Sequence, residues 1–222
     1  MYDLPYYREH DEQAIAAFIE RHPFALISGC DADQRPVATQ VPVFIDRRGE
    51  QTVLSGHIMR NTDHHRAFIH NPNVLAVFAG AHTYVSATWY SDPNVASTWN
   101  YMSVHAPGLI RMLDEDGLIE VLRRTSLHYE GHDERSPTVF DNLPSSFTDK
   151  VMKAIVGFEI EVRKMDAVFK LSQDRDAASY RSIIEQLWRG DEQARAIAAE
   201  MEKREHALFP DSGADKTCSG HN

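Results

Sequence analysis

Cysteine is almost missing from this chain: Cys30 and Cys218 are the only two, far apart and outside any CxxC spacing. That excludes a disulfide framework and a thiolate zinc cage, and it fits a reducing compartment. Basic charge is short as well, with 23 Lys and Arg against 33 Asp and Glu and a formal net charge of −10. Neutralising phosphates needs Lys and Arg, so the balance offers no electrostatic basis for free-standing binding to nucleic acid or to a membrane surface. Long apolar runs are absent too. The longest, Val74 to Ala81, falls far below the ~20 residues that span a bilayer. The opening Met1-Tyr2-Asp3-Leu4-Pro5 has neither the basic nor the apolar part of a secretory signal. A soluble cytoplasmic protein is expected.

What is present reads as one domain over 1–205, followed by a polar, disordered tail over 206–222. Asp11 can cap a first helix that carries Ile15, Phe18 and Ile19 on one face. Phe24 to Ser28 reads as a strand. From Pro36 to Asp46 the side chains alternate with a period of two, a single strand that turns at Arg47–Glu50 into Thr52–Ile58. A short helix begins at Asn61 and runs to His70. Val74–Phe78, His82–Ser86 and Thr98–His105 read as three further strands, and Leu109–Leu113 continues the sheet as a fourth. Helices follow over 116–129 and 149–155, strands over 158–162 and 167–171, and helices over 177–189 and 191–204. Short strands at hairpin spacing point to a mainly β, antiparallel barrel with helical elaboration. The regular strand–helix alternation of a parallel nucleotide-binding sheet is missing.

Two stretches carry candidate chemistry. In Ser55-Gly56-His57-Ile58-Met59-Arg60-Asn61 a strand ends beside a helix start, where free N–H groups and an arginine favour an anion. The competing reading is a capped surface helix with a solvated arginine, and Asp63 adds a like charge nearby. In Thr98-Trp99-Asn100-Tyr101 an aromatic face beside an amide suits a flat heterocycle, although core or interface aromatics would look the same. Of the twelve histidines, His128 and His132 are four apart, but no HExxH occurs and no convergent ligand set is evident, so no metal site is assigned. The segment Asp174–Glu205 holds eight acidic and six basic residues, the reverse of a DNA-reading helix pair. Ile183, Ile184, Leu187, Trp188, Ile197 and Met201 read there as a packing face.

Taken in order, these stretches resemble the PaiB family of FMN-binding negative transcriptional regulators. The residues that carry the resemblance are Phe24-Ala25-Leu26-Ile27-Ser28, Ala38-Thr39-Gln40-Val41-Pro42-Val43, Ser55 to Asn61, Val74 to Phe78, His82 to Ser86, Thr98 to Tyr101, and Lys170-Leu171-Ser172-Gln173-Asp174-Arg175. The resemblance implies a split β-barrel of the pyridoxamine-phosphate oxidase type, working as a homodimer with FMN at the interface. It implies that Ser55, Gly56, His57, Arg60 and Asn61 lie around the phosphate, and that Thr39, Gln40 and Val41 border the ring. Trp99 and Asn100 would reach the flavin from the partner subunit, while Lys170 and Gln173 complete the pocket. The chain departs from the family pattern at Asn61-Thr62-Asp63-His64 and at Asp174, in both places by gaining acid.

Two other functions stay open at this level: a flavin-dependent oxidoreductase, in which the flavin carries the chemistry, and a haem-handling barrel with His57, His82 or His105 as axial ligand. No catalytic residue is assigned. Direct DNA binding is doubtful on charge alone.

Overall fold

In the computed structural model, which describes residues 2, 4–92 and 94–210, nine strands and six α-helices are assigned. The strands are β1 (Arg8–Glu9), β2 (Phe24–Cys30), β3 (Pro36–Pro42), β4 (Phe44–Arg48), β5 (Gln51–Met59), β6 (Asn73–Val85), β7 (Thr98–Met112), β8 (Ile155–Val162) and β9 (Asp166–Lys170). The helices are α1 (Glu12–Arg21), α2 (Asp63–His70), α3 (Glu115–Tyr129), α4 (Ser145–Ala154), α5 (Ala177–Trp188) and α6 (Glu192–Leu208). The sheet order is β3-β2-β6-β7-β8-β5-β4, with β9 paired to both β7 and β1. The registers of β2 with β3 and β6, of β4 with β5, of β8 with β5 and β7, and of β1 with β9 are all antiparallel.

Helix starts follow directly from residue type. The carboxylates of Asp11, Asp114, Asp176 and Asp191 each accept an N–H from the first turn of α1, α3, α5 and α6, the N-cap role for which Asp is favoured. Strands depart more from expectation. The run from Pro36 to Asp46 is two strands, because Val43 leaves the ladder and donates its N–H to the Pro23 carbonyl at 2.9 Å. Pro36 and Pro42 close the ends of β3, a strand at one end of the sheet order, where missing N–H donors are tolerated.

Conversely, four expected strands merge into two. In β6 the buried positions switch from even (Val74, Ala76, Phe78) to odd (Ala81, Val85) across Gly80, the phase shift that one extra residue produces. Gly80 therefore continues the strand through the gap between the two expected strands. In β7 every even position from Asn100 to Ile110 is buried without a shift. Pro107-Gly108 stands inside this strand because β8 comes very close. A Cβ on Gly108 would lie 2.5 Å from the Glu161 carbonyl oxygen, and the Pro107 carbonyl accepts the Arg163 N–H at 2.9 Å.

The chain divides into two compact units where the sequence suggested one domain. The first joins the N-terminal residues up to His10, Gly80–Ser103 and the chain from Ala167 onward. Its core gathers Tyr7, Val85, Tyr90, Phe169, Leu171, Tyr180, Ile183 and Met201. Tyr90 is 8% exposed and belongs to this core. The packing face foreseen on α5 and α6 is buried except for Trp188, whose indole donates to Glu202. The second unit, Asp11–Ala79 with Val104–Asp166, packs Phe18, Ile27, Leu54, Phe68, Phe78, Phe158 and Ile160. The expected tail lies largely outside the described residues, and α6 reaches Leu208, beyond the expected helix end.

Substituting Gly108→Ala forces a methyl group against backbone, so a loss of about 1–3 kcal/mol is expected from overpacking. The urea midpoint should fall clearly below wild type; an unchanged midpoint would contradict the close approach of β7 and β8.

Candidate functional site

The second unit holds the expected phosphate and ring-border residues. On β5, Ser55 lies opposite Phe44 and Glu159, and His57 opposite Gly157. Helix α3 packs on β5 and β8. Ser55 is buried, and His57 is half-buried, which pushes its pKa below the ordinary 6.5 and leaves the imidazole neutral at pH 7. Gly56 is a packing residue: a Cβ there would lie 2.9 Å from both the Phe158 ring and the Pro42 carbonyl.

Arg60 is fastened at two points. Its N–H donates to the Ala154 carbonyl at 2.8 Å, and its Nε donates to the Ile155 carbonyl at 2.7 Å. These acceptors lie at the C-terminal end of α4, where unpaired carbonyls favour a cation. The anchored side chain lines a cavity of about 410 Å³ together with Lys153, Glu115, Asp149, Leu118 and Met152.

The helix start beside it differs from expectation. α2 begins at Asp63, with Thr62 rather than Asn61 as its cap. Thr62 Oγ1 accepts the His65 N–H at 3.2 Å and the Asp63 carboxylate accepts the His64 N–H at 2.7 Å, while His65 Nδ1 accepts the Asn61 N–H at 3.1 Å. The chain's own side chains thus occupy donors on which an anion was expected to rest. Asn61 itself adopts a left-handed φ of 62°, and its carbonyl accepts from Arg66. The positive charge here is that of Arg60 itself; the helix terminus does not add to it.

On β3, Thr39 and Val41 share one face of the strand and Gln40 the other. Gln40 is exposed and stands opposite Leu26, which is itself paired with Val77 and is 37% exposed; Phe24, further along β2, is 61% exposed. This is an open, largely apolar strip.

The first unit brings the remaining four residues together. Trp99 is 52% exposed, with Tyr84 edge-on at 6.1 Å and His82 tilted at 6.2 Å between ring centroids. Asn100 points the other way and is fully buried: its Oδ1 accepts from Ser172 Oγ at 3.0 Å and its amide reaches Met201 Sδ at 3.6 Å. Lys170 is buried and donates to Thr98 Oγ1 and, at 2.8 Å, to the Trp99 carbonyl, with its ammonium 5.4 Å from the centre of the Tyr7 ring. Gln173 closes its own loop, accepting the Leu171 N–H at 2.7 Å and donating to the Phe169 carbonyl at 2.5 Å.

Lys153, Tyr84 and Tyr7 escaped the sequence reading. Tyr84 could have been found as the strand neighbour of His82 two residues on; nothing in the sequence marks Tyr7 or Lys153. Among the described residues no group of three metal-ligating side chains converges, and no helix is long and apolar enough to cross a membrane.

Residues 1–164 match the family described as "Putative FMN-binding domain". The chain belongs to this FMN-binding family. Its cofactor is FMN. This family member is 34% identical to "Protease synthase and sporulation protein PAI 2" of Bacillus subtilis (strain 168) over 187 residues, 84% of this chain and 89% of that protein. Two solved structures share its fold. One is the FAD and heme binding protein from Mycobacterium smegmatis, with TM-score 0.53 and 16% identity, covering 74% of this chain and 73% of that one. The other is the flavocytochrome Anf3 from Azotobacter vinelandii, with TM-score 0.52 and 17% identity, covering 76% and 72%. The fold is the antiparallel split barrel with helical elaboration.

The placement of His57 has a direct consequence for titration. Below pH 6.5 the unfolded chain takes up a proton that the folded imidazole refuses, so this histidine's share of stability is present above 6.5 and is lost as the pH falls. In an NMR titration the His57 ring should show a midpoint below 6.5; a midpoint at or above that value would contradict its burial beside Gly157.

Proposed function

We propose that the chain acts in the cytoplasm as an FMN-binding regulator of the PaiB type, a homodimer that seats one flavin at each of two equivalent clefts between subunits. The observation that carries this reading is the pair of presented groups: a fastened arginine at Arg60 and an exposed indole at Trp99. FMN needs a cation for its phosphate, a flat apolar surface for its ring and hydrogen-bonding groups at the ring edge. Arg60 and Lys153 supply the first, across a cavity that Glu115 and Asp149 also line and that has Leu118 and Met152 as its apolar wall. Trp99 and Tyr84 of the partner protomer supply the second. Thr39, Gln40 and Val41 border the edge. The residues present therefore suit FMN.

Within this reading Ser55, Gly56 and His57 shape the strand that leads to Arg60, and Asn61 turns the chain into α2. Asn100, Lys170 and Gln173 stand behind Trp99. When bound, FMN supplies one- or two-electron redox chemistry; the protein's part is to hold the phosphate, orient the ring and exclude water from it. The open strip of Phe24, Leu26 and Gln40 suits a second copy of the chain, since a two-fold interface is self-complementary. With a net charge of −10, regulation does not rest on a strong grip on DNA by this chain.

Sedimentation at nanomolar to micromolar concentration, with and without FMN, tests the arrangement. A dimer strengthened by FMN is expected, because a ligand that binds only the dimer shifts association toward it. Arg60→Ala should weaken FMN binding by about 1.5–3 kcal/mol, the range for a charge-assisted hydrogen bond. A monomer that binds FMN stoichiometrically, or an Arg60→Ala protein with unchanged affinity, would contradict the shared cleft or the phosphate site respectively.

A further inference from the structure

We propose that Lys170 is a positioning residue: it never touches the flavin and instead clamps the backbone of Trp99 so that the indole is held in a fixed orientation for ring stacking. The inference rests on the placement of Trp99 at the flavin and assigns the buried lysine a role that its charge alone would not suggest. A lysine near an FMN site is ordinarily read as a phosphate ligand. Here the ammonium is turned inward, to Thr98 Oγ1 and the Trp99 carbonyl, and its remaining side lies over the Tyr7 ring.

The same short segment secures the next residue. Ser172, held at a φ of 62°, donates to the side chain of Asn100, and Met201 on α6 receives the other end of that amide. Gln173 ties the segment to itself through both ends of its own amide. Thr98, Trp99 and Asn100 are thus gripped at three successive residues by the end of β9 and the loop that follows it, while the one side chain left outside, Trp99, is the half-exposed ring beside Tyr84 and His82. Burial disfavours the charged form of Lys170, so the two oxygens that meet it act as its replacement for water. A ring whose backbone is fixed loses less freedom on stacking against a ligand, which is how preorganisation raises affinity.

The test uses the full chain and two readouts. In a Trp89→Phe/Trp188→Phe background Trp99 is the sole tryptophan, and its fluorescence anisotropy and acrylamide quenching are measured without FMN. Lys170→Met should lower the anisotropy and raise the quenching, and Thr98→Val, which keeps the lysine and removes one acceptor, should do so to a smaller degree. Far-UV circular dichroism selects the folded variants, and Thr98→Val serves if Lys170→Met does not fold. FMN affinity is then measured through a cycle on the natural background: Lys170→Met, Trp99→Ala and the double variant. Lys170→Met should weaken FMN about fivefold or more alone and less than about twofold when Trp99 is already alanine, the signature of a residue acting through its neighbour. Equal losses in both backgrounds, or unchanged Trp99 anisotropy in both clamp variants, would overturn the proposal. If Trp99→Ala leaves FMN affinity unchanged, the stacking role of Trp99 fails, and the positioning role toward the flavin fails with it; a change in anisotropy would still establish the clamp itself.

Discussion

The buried amide of Asn100 and the buried ammonium of Lys170, which bonds to the two residues before Asn100, set the terms for the first unit. Asn100 has no exposure and Lys170 very little, and in a low-dielectric interior such groups are costly unless each is partnered. Every partner comes from a defined place: Thr98 Oγ1 and the Trp99 carbonyl for the lysine, Ser172 and Met201 for the amide. The beginning of β7, the loop after β9 and the helix α6 are therefore fixed against one another by polar satisfaction as much as by apolar contact. Removing Asn100 or Ser172 takes the side-chain partner from the other, at a cost of about 1–3 kcal/mol. The backbone of Trp99 inherits that rigidity.

In the second unit the organising constraint is steric. Gly56 and Gly108 lie where backbone or aromatic ring leaves no room for a Cβ, so β5 and β7 approach their neighbours closely on both sides of β8. That packing sets β8 in register with both strands and brings its first residue, Ile155, beside Arg60. The arginine is held by carbonyls at the end of α4, so the placement of its charge is decided by the helix–strand junction at Ala154–Ile155 rather than by the helix that follows it in sequence.

These two constraints explain what could be read from the residues in advance. The first helix was legible because Asp11 announces its start, whereas α4, which has no side-chain cap, was read four residues late. Strand continuity was not legible, since Gly80 and Pro107-Gly108 fall in the gaps between the expected strands. At Val43 the opposite happened, where unbroken alternation concealed a departure toward Pro23. The family motifs carried the split-barrel class and the FMN cofactor. They did not show direction: of the four motif residues in the first unit, Lys170, Gln173 and Asn100 face inward and Trp99 faces out. Direction depends on long-range partners such as Met201 and Tyr7, which no local spacing encodes. The N–H groups around Asn61 were misread for a related reason, because Thr62, Asp63 and His65 satisfy them locally.

The account stands or falls on the flavin. The most direct measurement is the visible absorbance spectrum of the freshly purified protein before and after addition of FMN, with the chromophore released by denaturation and identified by mass. Flavin bands, with FMN released in proportion to chain, are the predicted result. A haem spectrum, or no bound chromophore even after excess FMN is added and removed by gel filtration, would contradict it.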